Sequence, residues 1–73
     1  MNASEITRLK TYLSQKFGVE NLQVRGRPNK DDSAEVYFGD EFIAVIFRDD
    51  EDGEVSYDFN MAILEIDLPV AES

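Results

Sequence analysis

The spacing of apolar residues changes once along this chain, from a helical period to a strand period, and this change constrains the fold most. Up to residue 17, apolar side chains recur every three or four positions, as on one stripe of an amphipathic helix: Ile6, Leu9, Leu13 and Phe17, with Tyr12 on the flank. Asn2 with Glu5, or Ser4 alone, can cap the start of this helix, and Gly18 can end it. The pattern predicts a helix over about residues 3–17.

From Asn21 onwards, apolar residues alternate with polar ones, which is typical of strands with one buried face. Turn-forming residues divide this part of the chain at Pro28-Asn29 and the polar run to Ser33, at Gly39-Asp40, and at the acidic stretch that ends in Gly53. The predicted strands cover about residues 21–27, 34–38, 41–48 and 54–63, and a tail follows at 64–73. The sequence therefore predicts an α+β fold in a single domain of residues 1–73. Its N-terminal helix packs on one face of a four-stranded antiparallel meander (α-β-β-β-β).

The turns also predict the register of the strands. A two-residue turn at Gly39-Asp40 and a three-residue turn that ends with Gly53 at positive φ each fix one hairpin. The cross-strand pairs that follow are Phe38–Glu41, Val36–Ile43, Ile43–Met61, Val45–Phe59 and Phe47–Tyr57. Pairing Leu22 with Phe38 and Val24 with Val36 then extends the same apolar face to the first strand.

This register gives the sheet two unlike sides. The side that we expect the helix to cover, the helix face, is apolar throughout: Leu22, Val24, Ala34, Val36, Phe38, Ile43, Val45, Phe47, Val55, Tyr57, Phe59 and Met61. The opposite side, the open face, is polar at its edges and apolar at its centre, where we expect Tyr37, Phe42, Ala44 and Ile46. One helix cannot cover both sides of a sheet, so the helix leaves the apolar centre of the open face uncovered.

The chain has 73 residues and contains neither cysteine nor histidine. A domain of this size buries only about 60% of the surface of its unfolded chain, so it is marginally stable without disulfides, a metal or a second subunit. The composition excludes disulfides and the usual zinc ligands, so oligomerisation is the common remaining route to additional stability. The acidic run before Gly53 does not match a calcium loop, because Arg48 and Phe59 would occupy its first and last ligand positions. We expect no metal and no cofactor.

No catalytic constellation is visible in the sequence. Without histidine and cysteine, only carboxylates, lysines and tyrosines remain as general acids and bases. Paired carboxylates need a substrate cleft, for which a short meander has little volume, and no glycine-rich phosphate loop is present. We therefore expect a protein that is not an enzyme and has no catalytic residue.

The net charge of −9 is distributed unevenly. Residues 1–30 carry six basic and two acidic side chains, a net charge of +4, whereas residues 31–73 carry one basic and fourteen acidic side chains, a net charge of −13. The halves are too short to be separate domains, so we expect them to neutralise each other within one domain. Met1 is followed by no secretory leader, and the longest apolar run, Phe42–Phe47, is too short to span a bilayer. We expect a cytoplasmic protein with no membrane partner.

These features predict a small acidic protein-interaction module that binds a protein partner or a second copy of itself, as a homodimer, through the open face and the tail. The residues expected at this interaction face are Arg25, Tyr37, Phe42, Ala44, Ile46, Leu64, Ile66 and Leu68. The tail can fold over the open face, continue the fourth strand through a bulge, or pair with another chain. The alternative function is binding of single-stranded nucleic acid or a small ligand by Arg25, Tyr37 and Phe42. The charge of −9 opposes phosphate, so nucleic acid is the less favoured partner.

Several short stretches carry a family resemblance. The segments Lys30–Tyr37, Gly39–Ile43, Phe47–Asp49 with Ser56-Tyr57, and Met61–Leu64 resemble a family of short alphaproteobacterial proteins known only as a domain of unknown function. The similarity runs from about Arg27 to Leu68 and more loosely into the helix. It implies a bacterial cytoplasmic protein, and it implies no activity, cofactor or site residue.

Overall fold

The order of elements follows the change of period in the sequence. A computed structural model describes residues 1–70, so residues 71–73 of the predicted tail lie outside the described residues. The elements are helix α1 (Ala3–Phe17), strands β1 (Leu22–Arg27), β2 (Lys30–Phe38), β3 (Glu41–Asp49) and β4 (Ser56–Asn60), and a 3-10 turn at Glu65–Asp67. The strands form one antiparallel sheet in the order β1-β2-β3-β4. The predicted α+β meander with its N-terminal helix is confirmed.

Helix α1 begins and ends at the residues that the sequence favours. The Asn2 side chain accepts a hydrogen bond from the Glu5 backbone N–H (2.8 Å), and the Glu5 side chain accepts one from the Asn2 backbone N–H (3.2 Å). This reciprocal capping box satisfies two backbone donors that the first turn leaves free. Gly18 ends the helix in the left-handed conformation, with φ of 65°.

The first hairpin has the predicted register, with Leu22 opposite Phe38 and Val24 opposite Val36. Strand β2 begins at Lys30, four residues earlier than predicted, because Pro28-Asn29 alone makes the turn and Asn29 adopts a φ of 61°. The polar residues after the turn therefore belong to the strand. An irregularity between Gly26 and Arg27 accommodates the change in register.

The second hairpin has the predicted two-residue turn but not the predicted register beyond it. Phe38 lies opposite Glu41 and Gly39 has a φ of 61°, as expected. The register then shifts by one residue, so that Val36 lies opposite Ala44 and not opposite Ile43. Ile43 is the extra residue of a β-bulge. Beyond the bulge, every side chain of β3 points to the side opposite to the predicted one.

The third hairpin also differs from the prediction in its pairing. Gly53 has the predicted positive φ of 81°, but the loop spans residues 50–55 rather than three residues. The observed pairs are Arg48–Tyr57, Phe47–Asp58, Ile46–Phe59 and Val45–Asn60, so the predicted pairs Phe47–Tyr57, Val45–Phe59 and Ile43–Met61 are wrong. Tyr57 and Phe59 keep their predicted place on the helix face, because the bulge inverts β3 and not β4. Strand β4 ends at Asn60, three residues before its predicted end.

The buried core lies between α1 and the sheet and consists of few, small side chains. Its apolar members are Leu13, Leu22, Val24, Ala34, Val36, Ala44 and Ile46. Small residues under the helix allow a close approach: a Cβ atom at Gly26 would lie 3.3 Å from Cδ1 of Ile6. Strand β4 contributes no fully buried residue, so the buried residues of the sheet come from β1, β2 and β3.

Replacing Ile46 with alanine should lower the free energy of unfolding by about 2–5 kcal/mol, because this side chain is 1% exposed and leaves a cavity. Phe47→Ala is the matched control and should cost less, since Phe47 is already 41% exposed on the open face. Urea denaturation followed by circular dichroism measures both changes. A larger loss for Phe47→Ala than for Ile46→Ala would contradict the orientation of β3.

Candidate functional site

The open face brings together three of the predicted site residues, Arg25, Tyr37 and Phe42. The guanidinium carbon of Arg25 lies 4.1 Å from the centroid of the Tyr37 ring, within cation–π distance. The rings of Tyr37 and Phe42, which lie opposite each other on β2 and β3, meet edge to face with centroids 5.7 Å apart. The Gln23 side-chain oxygen accepts two hydrogen bonds from Arg25, at 3.2 and 2.8 Å. These contacts hold the cluster in one arrangement.

Glu35 orients the polar end of this cluster. The Tyr37 hydroxyl donates a hydrogen bond to Glu35 Oε1 (3.0 Å), and this bond to a carboxylate raises the pKa of Tyr37 above its ordinary value. The same carboxylate lies 3.8 Å from Nε of Arg27. Arg25 lies opposite Glu35 in the sheet, yet its guanidinium turns to Gln23 and Tyr37 instead. The cluster is therefore a set of local surface contacts that leaves Phe42 half exposed.

Two predicted site residues, Ala44 and Ile46, do not lie on the open face, and their prediction is wrong. Each is 1% exposed in the core under α1, because the bulge at Ile43 inverts β3. Val45 and Phe47 take their place on the open face. The run from Phe42 to Phe47 is apolar at every position, so the alternation that would have shown the inversion is absent.

The remaining predicted site residues, Leu64, Ile66 and Leu68, lie in a tail that extends away from the sheet. Every residue from Met61 to Val70 is exposed, and Ile66 is 88% exposed. The tail leaves Phe42 uncovered at 51% exposure and does not continue β4. The described chain measures 48 × 27 × 23 Å. A nine-residue strand accounts for about 30 Å, so the rest of the longest dimension comes from chain outside the sheet.

A groove that the sequence did not predict lies on the helix face. An α-helix is about 10 Å wide and four strands span about 14 Å between the outer two. Because α1 packs chiefly over β1, it leaves β3 and β4 partly uncovered. The groove between them has a volume of about 630 Å³. Its apolar lining comes from Leu9, Tyr12, Leu13, Phe17, Ile46, Tyr57 and Phe59.

The two ends of the groove are held by different interactions. At the C-terminal end of α1, the rings of Phe17 and Phe59 pack at 5.5 Å between centroids. At the N-terminal end, Glu5 Oε2 accepts hydrogen bonds from Arg48 Nε (2.8 Å) and from the Tyr57 hydroxyl (2.7 Å). Arg8 and Lys16 complete the lining from the helix side and make the rim basic.

The Glu5 carboxylate is engaged by donors on both oxygens. Its pKa is lowered, first by the hydrogen bond from Tyr57, then by the backbone N–H of Asn2 and by Arg48. The same hydrogen bond raises the pKa of Tyr57. Arg48 Nη1 also contacts Asp50 at 2.9 Å. Glu5, Arg48 and Tyr57 form a clamp between the start of α1 and the β3–β4 hairpin. Within this clamp, Glu5 acts as an ionised hydrogen-bond acceptor.

Within residues 1–70, no group of three or more acidic, cysteine or histidine side chains is arranged to hold a metal ion. In the same part of the chain, no helix is both long and apolar enough to cross a bilayer. The groove on the helix face and the cluster on the open face are lined mainly by apolar, aromatic and basic side chains.

Comparison with known proteins identifies the family of the chain. The sequence model of a family described as "Protein of unknown function (DUF3126)" matches residues 5–67. The match covers most of the chain, including most of the helix, all four strands and the tail as far as Asp67. No curated protein and no solved structure matches the chain. The predicted resemblance to a domain of unknown function is confirmed, and the match includes the part of the helix where the predicted similarity was looser.

The clamp should make stability depend on pH in the acidic range. Because the pKa of Glu5 is lower in the folded chain, its contribution is present above the unfolded value of about 4.3 and is lost as the pH falls through the folded pKa. Glu5→Gln should weaken this loss, whereas the control Glu20→Gln, at an exposed position, should not. Urea midpoints measured from pH 7 down to pH 3 check this. Equal pH dependence in wild type and Glu5→Gln would contradict the clamp.

Proposed function

Since the chain belongs to the DUF3126 family, whose description carries no activity, we propose its function from its surfaces: it is a small protein-interaction module that self-associates through its C-terminal tail. Because β4 ends at Asn60, the tail begins at Met61 rather than at the predicted residue 64, and its described part is Met61–Val70. The partner in this proposal is a second copy of the chain.

The single observation that carries the proposal is the exposure of the tail. Met61, Ile63, Leu64, Ile66, Leu68 and Val70 are all exposed. Burying a large aliphatic side chain fully is worth about 1.5–3 kcal/mol, so several of them in one short segment represent a considerable unused driving force for association. Contiguous apolar surface of this kind marks interaction sites on soluble proteins.

The thin core supports the same proposal. Seven apolar residues form it, and two of them are alanines. Without cysteine, no disulfide can add stability. Binding of a second copy stabilises the folded state by mass action, which is the route that the composition leaves open.

Single-stranded nucleic acid or a small ligand at Arg25, Tyr37 and Phe42 is the alternative proposal. The clustering of these three residues on the open face favours it. Against it, Arg25 already covers one face of the Tyr37 ring, and the net charge of −9 repels phosphate. Salt-dependent binding of a fluorescent oligonucleotide that Tyr37→Ala abolishes would support this alternative over self-association.

A bacterial cytoplasmic setting and the lack of enzymatic activity belong to the proposal as well. The family resemblance supports the first. For the second, the support is that Glu5, the carboxylate beside the groove, is already bonded to Arg48 and Tyr57 and is not available as a general base.

The proposal predicts that removing the tail abolishes self-association. The full chain should sediment with a mass near twice that of the monomer, and a chain ending at Asn60 should sediment as a monomer. A chain ending at Val70 is the control and should stay dimeric. Circular dichroism confirms that each variant is folded. A full-length chain that stays monomeric over the whole concentration range would refute the proposal.

A further inference from the structure

We propose that the groove between α1 and the β3–β4 hairpin is the receiving site for the tail of a second copy, and that two copies exchange tails reciprocally. This inference rests on the proposed self-association and assigns its site. The docked segment is Met61–Leu68. The open face, with Phe42 and Phe47, is the competing receiving surface.

Charge complementarity argues for the groove. Its rim carries Arg8 and Lys16, and neither forms an ion pair in the part of the chain that the structure describes. From Leu64 to Leu68, apolar residues alternate with Glu65 and Asp67. An extended segment of this pattern presents Leu64, Ile66 and Leu68 to an apolar floor and its two acids to the basic rim. The open face has Arg25 and Arg27, but Tyr37, Gln23 and Glu35 already engage them.

The groove and the tail also match in apolar character and in length. Tyr12 and Phe17 are exposed aromatic side chains at the groove, of the kind that anchor partners. The helix from Glu5 to Phe17 extends about 18 Å, and eight extended residues reach about 26 Å. The tail can therefore run along the whole groove. To dock as an extended segment, the tail must open one 3-10 turn. Two backbone hydrogen bonds hold this turn, in which the N–H groups of Asp67 and Leu68 donate to the carbonyls of Leu64 and Glu65.

The geometry of the chain's exit favours a tail from another copy. Strand β4 ends at Asn60, next to the Phe17–Phe59 contact at one end of the groove. A tail that entered its own groove would have to reverse direction at once. No glycine or proline occurs between Met61 and Leu68 to make such a reversal easy. A second copy related by a twofold axis can receive the tail without a reversal and can return its own.

Two charge-reversal variants test the exchange. Variant one carries Arg8→Glu and Lys16→Glu, so its groove and its tail are both acidic. Variant two carries Glu65→Lys and Asp67→Lys, so its groove and its tail are both basic. Each should self-associate about tenfold more weakly than wild type, since the rim contacts change from attraction to repulsion. A mixture of the two should restore a dimer, because each tail then meets a groove of opposite charge. Sedimentation with one variant fluorescently labelled measures this heterodimer.

Two controls make the outcomes decisive. Lys10→Glu reverses a charge on the same helix outside the groove lining and should leave the dimer unchanged. Phe42→Asp disrupts the open face and should also leave it unchanged. Loss of the dimer with Phe42→Asp but not with variant one would overturn the groove and leave tail-mediated self-association standing. A mixture that shows no heterodimer would equally overturn the exchange. A monomeric wild type would remove both proposals.

Discussion

The extra residue at Ile43 determines which side of β3 meets the helix, and most of the molecule follows from that choice. Beyond the bulge, Ala44, Ile46 and Arg48 face α1, whereas Val45 and Phe47 face away from it. Only in this orientation can Arg48, with its pairing partner Tyr57, reach Glu5 at the start of the helix. The bulge thus creates both the core position of Ile46 and the clamp that joins the helix to the β3–β4 hairpin.

The close packing of α1 on the sheet explains why apolar side chains remain exposed on both sides of the sheet. Ala34, Ala44 and Gly26 bring α1 close to the sheet, and a helix held there is too narrow to cover four strands. Tyr57 and Phe59 remain at the wall of a groove, while Phe42 and Phe47 remain on the open face. Within residues 1–70, no further helix or strand covers either surface. In our proposal, the tail of a second copy covers the groove.

The sequence predicted the type and order of the elements correctly, but it assigned the side chains of β3 beyond the bulge to the wrong sides of the sheet. Strong local signals predicted four features, and all of them are observed: the bounds of the helix, the turns at Gly18 and Gly39, the register of the first hairpin and the positive φ of Gly53. The error began at Ile43, because no polar residue between Phe42 and Phe47 marks which side faces solvent. The groove could not be found from periodicity, since it depends on where the helix sits across the sheet. The one sign of it in the sequence was Tyr12, because this residue adds an apolar side chain beside a helix stripe that is already complete.

The clamp at Glu5 has a consequence for the order in which the chain assembles. The three hairpins close over loops of two, two and six residues, so their pairing costs little chain entropy. Glu5 meets Arg48 and Tyr57 across 43 and 52 residues of sequence. Contacts between such distant parts of a chain form after local ones. We therefore expect the sheet to assemble first and the start of the helix to dock last. For the same reason we expect the helix start to open before the sheet does in the native state, which uncovers the groove without unfolding the sheet.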